Sequence, residues 1–142
     1  TLGVRLKQHE KNALEVARWL QQQPEVSRVL YPALETDPGH ALWKRDYRGA
    51  SGLFSVVLKP VDEAALARFV NGLQLFGIGS SWGGFESLIT VVHAAPYRTA
   101  TRWQPEGPAV RLHIGLEDPA DLIADLRQGL DRLHAGEAPA HG

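Results

Sequence analysis

Gly79-Ser80-Ser81-Trp82-Gly83 fits the G-x-S-x-G pattern of a nucleophile elbow, with Ser81 in the nucleophile's place. An elbow needs a strand before it, a helix after it, and an acid and a histidine later in the chain. Asp118, His113 and His134 supply the residue types, and Leu75 to Ile78 reads as the strand. Phe85 to Val92 reads as strand rather than helix, so Ser81 is expected to be a loop residue, structural or binding. The stretch also lacks the G-x-G-x-x-G order and G-K-[ST] ending of a phosphate loop. Its glycines are expected in a tight turn where backbone passes close to something, and Trp82 there either packs or lines a cleft. The six histidines show no i+2, i+3 or i+4 pair and no H-E-x-x-H, so no metal site is expected. His9-Glu10 reads as solvent-facing on an amphipathic helix, and His141 as part of a tail.

Arg111 is the most informative charge. Alternation from Val110 to Ile114 puts Arg111 and His113 opposite Val110, Leu112 and Ile114. A guanidinium fork on a rigid strand suits bidentate capture of a carboxylate or phosphate. A structural salt bridge, for instance with Glu117, would use the same charge. Spacing leaves both open.

The elements that must position these residues follow from periodicity and breakers. Leu6, Ala13, Leu14, Ala17 and Leu20 mark a helix over residues 2–23, ended by Pro24. Val26 to Tyr31 is a short strand, and His40 to Tyr47 a short helix after the Thr36-Asp37-Pro38-Gly39 turn. Leu53 to Leu58 is a buried strand. Asp62 caps a helix whose apolar positions are Leu66, Phe69, Val70 and Leu73. Strand-like runs follow at Leu75 to Ile78 and Leu88 to Val92, then an irregular segment from Ala94 to Pro108. Asp118 with Pro119 opens a last helix, carried by Leu122, Ile123, Leu126, Leu130 and Leu133 and stopped by Gly136, with a frayed tail beyond. Strands outnumber the connecting helices between residues 75 and 115, which predicts an α+β fold. Its sheet is expected to be mixed and largely antiparallel, with helices packed on one face.

Composition narrows the function classes. The chain has 142 residues, 15 Lys+Arg against 16 Asp+Glu, and no Cys or Met. That length supports a single domain with a real core. A net charge of -1 argues against a nucleic-acid partner. No apolar run is long enough for a membrane span, no signal-peptide pattern opens the chain, and the expected compartment is the cytoplasm. Without Cys there is no disulfide framework and no thiol nucleophile. The start at Thr1 and the missing Met are expected to reflect a piece cut from something longer.

Three ordered motifs carry a resemblance: Ser81-Trp82-Gly83-Gly84-Phe85-Glu86-Ser87-Leu88, Tyr97-Arg98-Thr99-Ala100-Thr101, and Arg111-Leu112-His113-Ile114-Gly115-Leu116-Glu117-Asp118 running into Ala120 to Leu126. With Val29-Leu30-Tyr31-Pro32, Pro38-Gly39-His40 and Gly49 to Ser55 upstream, they resemble the C-terminal part of the pyridoxal-phosphate enzymes of cysteine and methionine metabolism. Within that fold-type-I family the likeness is to the cystathionine β-lyase branch, where S-W-G-G-[FY]-E-S-L is usual. Branches acting as γ-synthases or γ-lyases more often carry S-L-G-G.

The resemblance implies that residues 1–142 form the smaller, substrate-side C-terminal domain of a longer subunit whose cofactor domain is absent. It implies cleavage of L-cystathionine to homocysteine, pyruvate and ammonia, with pyridoxal 5'-phosphate as electron sink. Arg111 takes the position that clamps the substrate α-carboxylate, and Ser81 and Trp82 the turn beside it. Ser80 stands where relatives carry a bulkier or acidic residue touching the distal part of the substrate, which leaves substrate preference open. Lys7, Lys11, Lys44 and Lys59 sit in no context resembling the Schiff-base lysine. The catalytic lysine and cofactor groups therefore belong to the missing domain, and the chain alone is expected to be inactive. Implied partners are the rest of the subunit, further copies in a homotetramer, and an amino-acid substrate. The alternatives are a γ-lyase or γ-synthase of the same family and a stand-alone, non-catalytic binding module.

Overall fold

The computed structural model describes residues 1–135. The expected stop at Gly136, the tail from Glu137 and His141 lie outside them. Helix α1 runs Leu2–Gln21, strand β1 Val26–Leu30, helix α2 His40–Asp46, strand β2 Leu53–Leu58 and helix α3 Glu63–Gly72. Strands β3 (Gly77–Ile78) and β4 (Leu88–Val91) follow, then a 3-10 turn at Ala95–Tyr97, strand β5 (Ala109–His113) and helix α4 (Pro119–Asp131). The five strands form one sheet in the order β1-β2-β5-β4-β3, antiparallel except for the parallel β3–β4 pair. The fold is α+β with a mixed sheet, as the patterning predicts.

Register explains how the two faces divide. Phe54, Leu112 and Ile89 are cross-strand partners, as are Val56, Val110 and Val91. These rows face the helices and join Ala13, Val16, Ala17 and Leu20 of α1, Phe69 and Val70 of α3, and Leu122, Leu126 and Leu130 of α4 in one core. Each large aliphatic side chain so buried is worth about 1.5–3 kcal/mol. The neighbouring row points the other way: Leu30, Ser55, Arg111 and Thr90 stand side by side on the outer face.

Caps form where the sequence places them. The Asp62 carboxylate accepts from the Ala65 amide at 2.7 Å, and Asp118 from Ala120 at 2.8 Å. Several elements end one or two residues early, and two extents differ by more. The strand foreseen from Leu75 shrinks to Gly77–Ile78 because the Asp125 carboxylate takes the amides of Gln74 and Leu75, at 2.8 to 3.1 Å, removing them from the ladder. Helix α4 ends at Asp131, five residues before Gly136; tight turns continue the chain, with the Leu133 amide donating to the Leu130 carbonyl at 3.0 Å, and Leu133 still packs in the core. The Ala94 to Pro108 segment is irregular apart from its 3-10 turn, with the Arg98 guanidinium 5.3 Å from the Trp103 ring centroid.

Candidate functional site

Arg111 sits near the middle of the sheet, between Ser55 of β2 and Thr90 of β4 on the outer face. Its guanidinium donates through Nη2 to the Ser80 carbonyl. No ion pair involves it among the described residues, so the salt bridge with Glu117 does not form. Glu117 instead accepts from the Ser87 amide at 2.9 Å and from the Ser87 hydroxyl at 2.7 Å. A partly covered cation with a single backbone acceptor keeps several N–H donors for something that is not part of this chain.

Ser80, Ser81 and Trp82 form a turn beside Arg111, and all three are exposed, Trp82 at 60%. Gly83 follows with φ +85, a left-handed conformation that suits a residue without a Cβ. The turn runs into an extended segment and then β4, not a helix, and Ser81 makes no hydrogen bond to a histidine among the described residues. The nucleophile elbow is therefore absent.

Three elements pin this turn. Arg5 of α1 donates to the Gly83 carbonyl at 3.3 Å. His113 of β5 meets both Gly83 and Gly84. Behind them, the Leu116 amide donates to the Phe85 carbonyl at 2.9 Å, the Gly115 amide to the Ser87 hydroxyl at 2.8 Å, and Asn12 of α1 to the carbonyls of Gly115 and Glu117. Gly115 tolerates no side chain, since a Cβ there would collide with the Phe85 carbonyl oxygen. The motifs at 81–88 and 111–118, separate in sequence, are thus one hydrogen-bonded unit.

One expectation fails outright. His9 is not solvent-facing: it is 1% exposed, because the N-terminal half of α1 lies under this turn and presses His9 against the His113 ring. Asn12, Ser87, His113 and Glu117 are the positioning residues that sequence reasoning missed. Their signal was polar character inside otherwise apolar runs, visible for Ser87 before Leu88 and for His113 between Leu112 and Ile114.

Several large side chains of the strands and loops around the site are left uncovered. Phe85 is 66% exposed, Ile78 66% and Tyr97 84%. A cleft of about 740 Å³ opens elsewhere, between α3 and the strand ends, lined by Val61, Leu66, Val70, Ile78 and Val91. None of Arg111, Ser80, Ser81 or Trp82 lines it. The polar turn, rather than this apolar cleft, carries the chemistry-bearing groups. No described helix is long and apolar enough to cross a membrane.

Comparison with known proteins identifies the family. Residues 1–131 match the profile of a family described as Cys/Met metabolism PLP-dependent enzyme. A cystathionine beta-lyase of Bordetella avium is 55% identical over 93% of this chain and 33% of its own length. Cystathionine beta-lyase MetC of Escherichia coli is 49% identical over 94% of this chain and 35% of its own. Among solved structures, a cystathionine gamma synthase of Xanthomonas oryzae pv. oryzae, in complex with aminoacrylate and cysteine, superposes with a TM-score of 0.77. It is 37% identical, covering 94% of this chain and 35% of that one. The chain therefore spans about a third of the length of the relatives it matches.

Proposed function

Because the chain belongs to the Cys/Met metabolism PLP-dependent enzyme family, we propose that it forms the substrate-carboxylate side of the active site of a carbon–sulfur lyase. The observation that carries this is Arg111: a guanidinium on a central strand with no carboxylate partner among the described residues and one edge steadied by the Ser80 carbonyl. An amino-acid carboxylate docked on the free edge makes two parallel charge-assisted bonds against a rigid sheet. That fixes the direction of the substrate's Cα–H bond, which is the positioning a protein supplies in such chemistry. Ser81 and Trp82 flank the carboxylate, and Ser80 faces the distal part of the substrate.

The family's cofactor is pyridoxal phosphate, and the lysines of this chain do not fit it. An imine-forming lysine is desolvated so that it can lose its proton. Lys7, Lys11, Lys44 and Lys59 are all exposed, and none lies on β4, β5 or the turn at 79–87. We place the cofactor and the catalytic lysine in a preceding part of the same subunit, with residues 1–142 as its C-terminal substrate-side domain, working in a cytoplasmic homotetramer. The complete enzyme cleaves L-cystathionine to homocysteine, pyruvate and ammonia, in line with its β-lyase relatives. Trp82 in the turn supports the β-branch.

Three measurements test this. Purified complete enzyme given cystathionine should release pyruvate; release of 2-oxobutyrate would move it to the γ-lyases. Arg111→Ala should lower kcat/KM by about 10²-fold or more, mostly through KM, with Arg111→Lys recovering only part because an ammonium lacks the fork. The isolated 142-residue chain mixed with pyridoxal phosphate should show neither a bound-cofactor absorbance nor pyruvate formation; either one would overturn the division of labour.

A further inference from the structure

His9 and His113 meet edge to face, ring centroids 5.0 Å apart and planes at 89°, and both are buried. The His113 ring is the surface on which the turn rests. The Gly83 N–H points at it, 3.2 Å from Nε2 and 3.5 Å from Nδ1, and the Gly84 carbonyl lies 3.2 Å from the same Nε2. One ring nitrogen cannot accept and donate at once. With a lone pair on Nε2 the ring accepts from Gly83; with a proton there it donates to Gly84.

Space around the ring is closed. A Cβ on Gly52 would come 3.3 Å from His113 Nδ1, and Leu53 and Leu88 flank it across β2 and β4. Neither nitrogen of His9 attains hydrogen-bond geometry with any group among the described residues, although the Gly84 carbonyl is near enough to favour the charged ring. Burial outweighs that pull and, with His113 and Arg5 adding to it, holds His9 below its ordinary 6.5. His9 is thus a neutral wedge behind His113. The charged and titratable groups around the pair are Arg5 from α1, Glu117 from the β5–α4 turn, and Arg111 two residues earlier on β5.

We propose that His113, wedged by His9, is a positioning residue for the turn that carries Ser81 and Trp82, and that the proton on its Nε2 selects which peptide group of that turn is held. The inference rests on the reading of Arg111, Ser81 and Trp82 as the carboxylate side of the pocket. His113 touches no substrate. It sets where Ser81 and Trp82 stand relative to Arg111, and the state with Gly83 held differs from the state with Gly84 held by a change of one peptide contact.

The test uses the complete enzyme with His113→Phe, which keeps a ring without nitrogens, and His113→Gln, which keeps a donor and an acceptor. Amide hydrogen exchange over residues 82–87 and steady-state kinetics are compared at one pH. His113→Phe should speed exchange in the turn about tenfold and raise KM by a similar factor, with kcat changing less. His113→Gln should recover both to within about threefold of wild type. Wild-type exchange in His113→Phe, or a failure of His113→Gln to recover either exchange or KM, would overturn the proposal. If Arg111→Ala leaves KM unchanged while His113→Phe still loosens the turn, the carboxylate reading fails and positioning by His113 stands.

Discussion

On the helical side of the molecule, buried acids are satisfied from within the chain. Asp125 accepts from the amides of Gln74 and Leu75 and from the Gln128 side chain, tying α4 to the segment after α3. Glu25 pairs with Arg127, which also binds Asp131 and Gln23, so the start of β1 is fastened to α4. On the outer sheet face Arg111 has a backbone carbonyl and no acid among the described residues, beside an exposed Trp82 and Phe85. Buried polar groups left without partners cost more than the pairs gain, so a fold completes its own network wherever the network only holds the fold together. A charge left with spare donors on β5, beside a turn pinned from α1 and β5, is where the proposed function puts a partner from outside.

The contrast can be broken by experiment. Asp125→Ala leaves two amides without an acceptor and should destabilise by about 3 kcal/mol in denaturant unfolding, while KM of the complete enzyme stays near wild type. A KM shift as large as that of Arg111→Ala would erase the division between the two sides. Gly115→Ala should cost about 2 kcal/mol through overpacking, and here KM must rise too, because the Phe85 carbonyl has to move. Stability loss with unchanged KM would show that the turn does not depend on the segment that follows β5.

Glu25 offers a subtler probe. Burial raises the pKa of its carboxyl, but the hydrogen bond from Arg127 and the adjoining charges outweigh it and hold the group below its ordinary 4.5. Its stabilising contribution is therefore complete above pH 4.5 and is lost as pH falls through the lower folded value. The stability difference between wild type and Glu25→Gln should shrink as the solution is acidified through that window; a constant difference would mean that the charge is not what matters. The smallest effect belongs to the exposed Arg28–Glu106 pair, at 3.1 Å, where Glu106→Gln should leave the melting temperature unchanged.

Periodicity and breakers were enough to read the elements, because apolar spacing reports directly which face is buried. They stop short where a side chain distant in sequence intervenes. Nothing near Leu75 announces that Asp125, fifty residues on, will take its amide, and nothing near His9 announces that a turn from residue 83 will cover it. The site divides the same way. Arg111 on the face opposite Leu112 follows from alternation, and its neighbourhood with Ser80, Ser81 and Trp82 was expected from resemblance to a family. The bond to the Ser80 carbonyl and the transfer of Glu117 from Arg111 to Ser87 depend on how close β5 passes to the turn, a distance that local pattern does not contain.

The missing side chain at Gly115 has a consequence for anyone wishing to move this turn onto another scaffold. The Phe85 carbonyl occupies the place a Cβ would take, the Ser87 hydroxyl receives the Gly115 amide, and Asn12 closes the far side. A graft of residues 80–87 alone would arrive without its bearing surface. The transferable unit is a set of three discontinuous segments, the turn, residues 111–118 and the first helical turns through Asn12, and it travels only as an assembly.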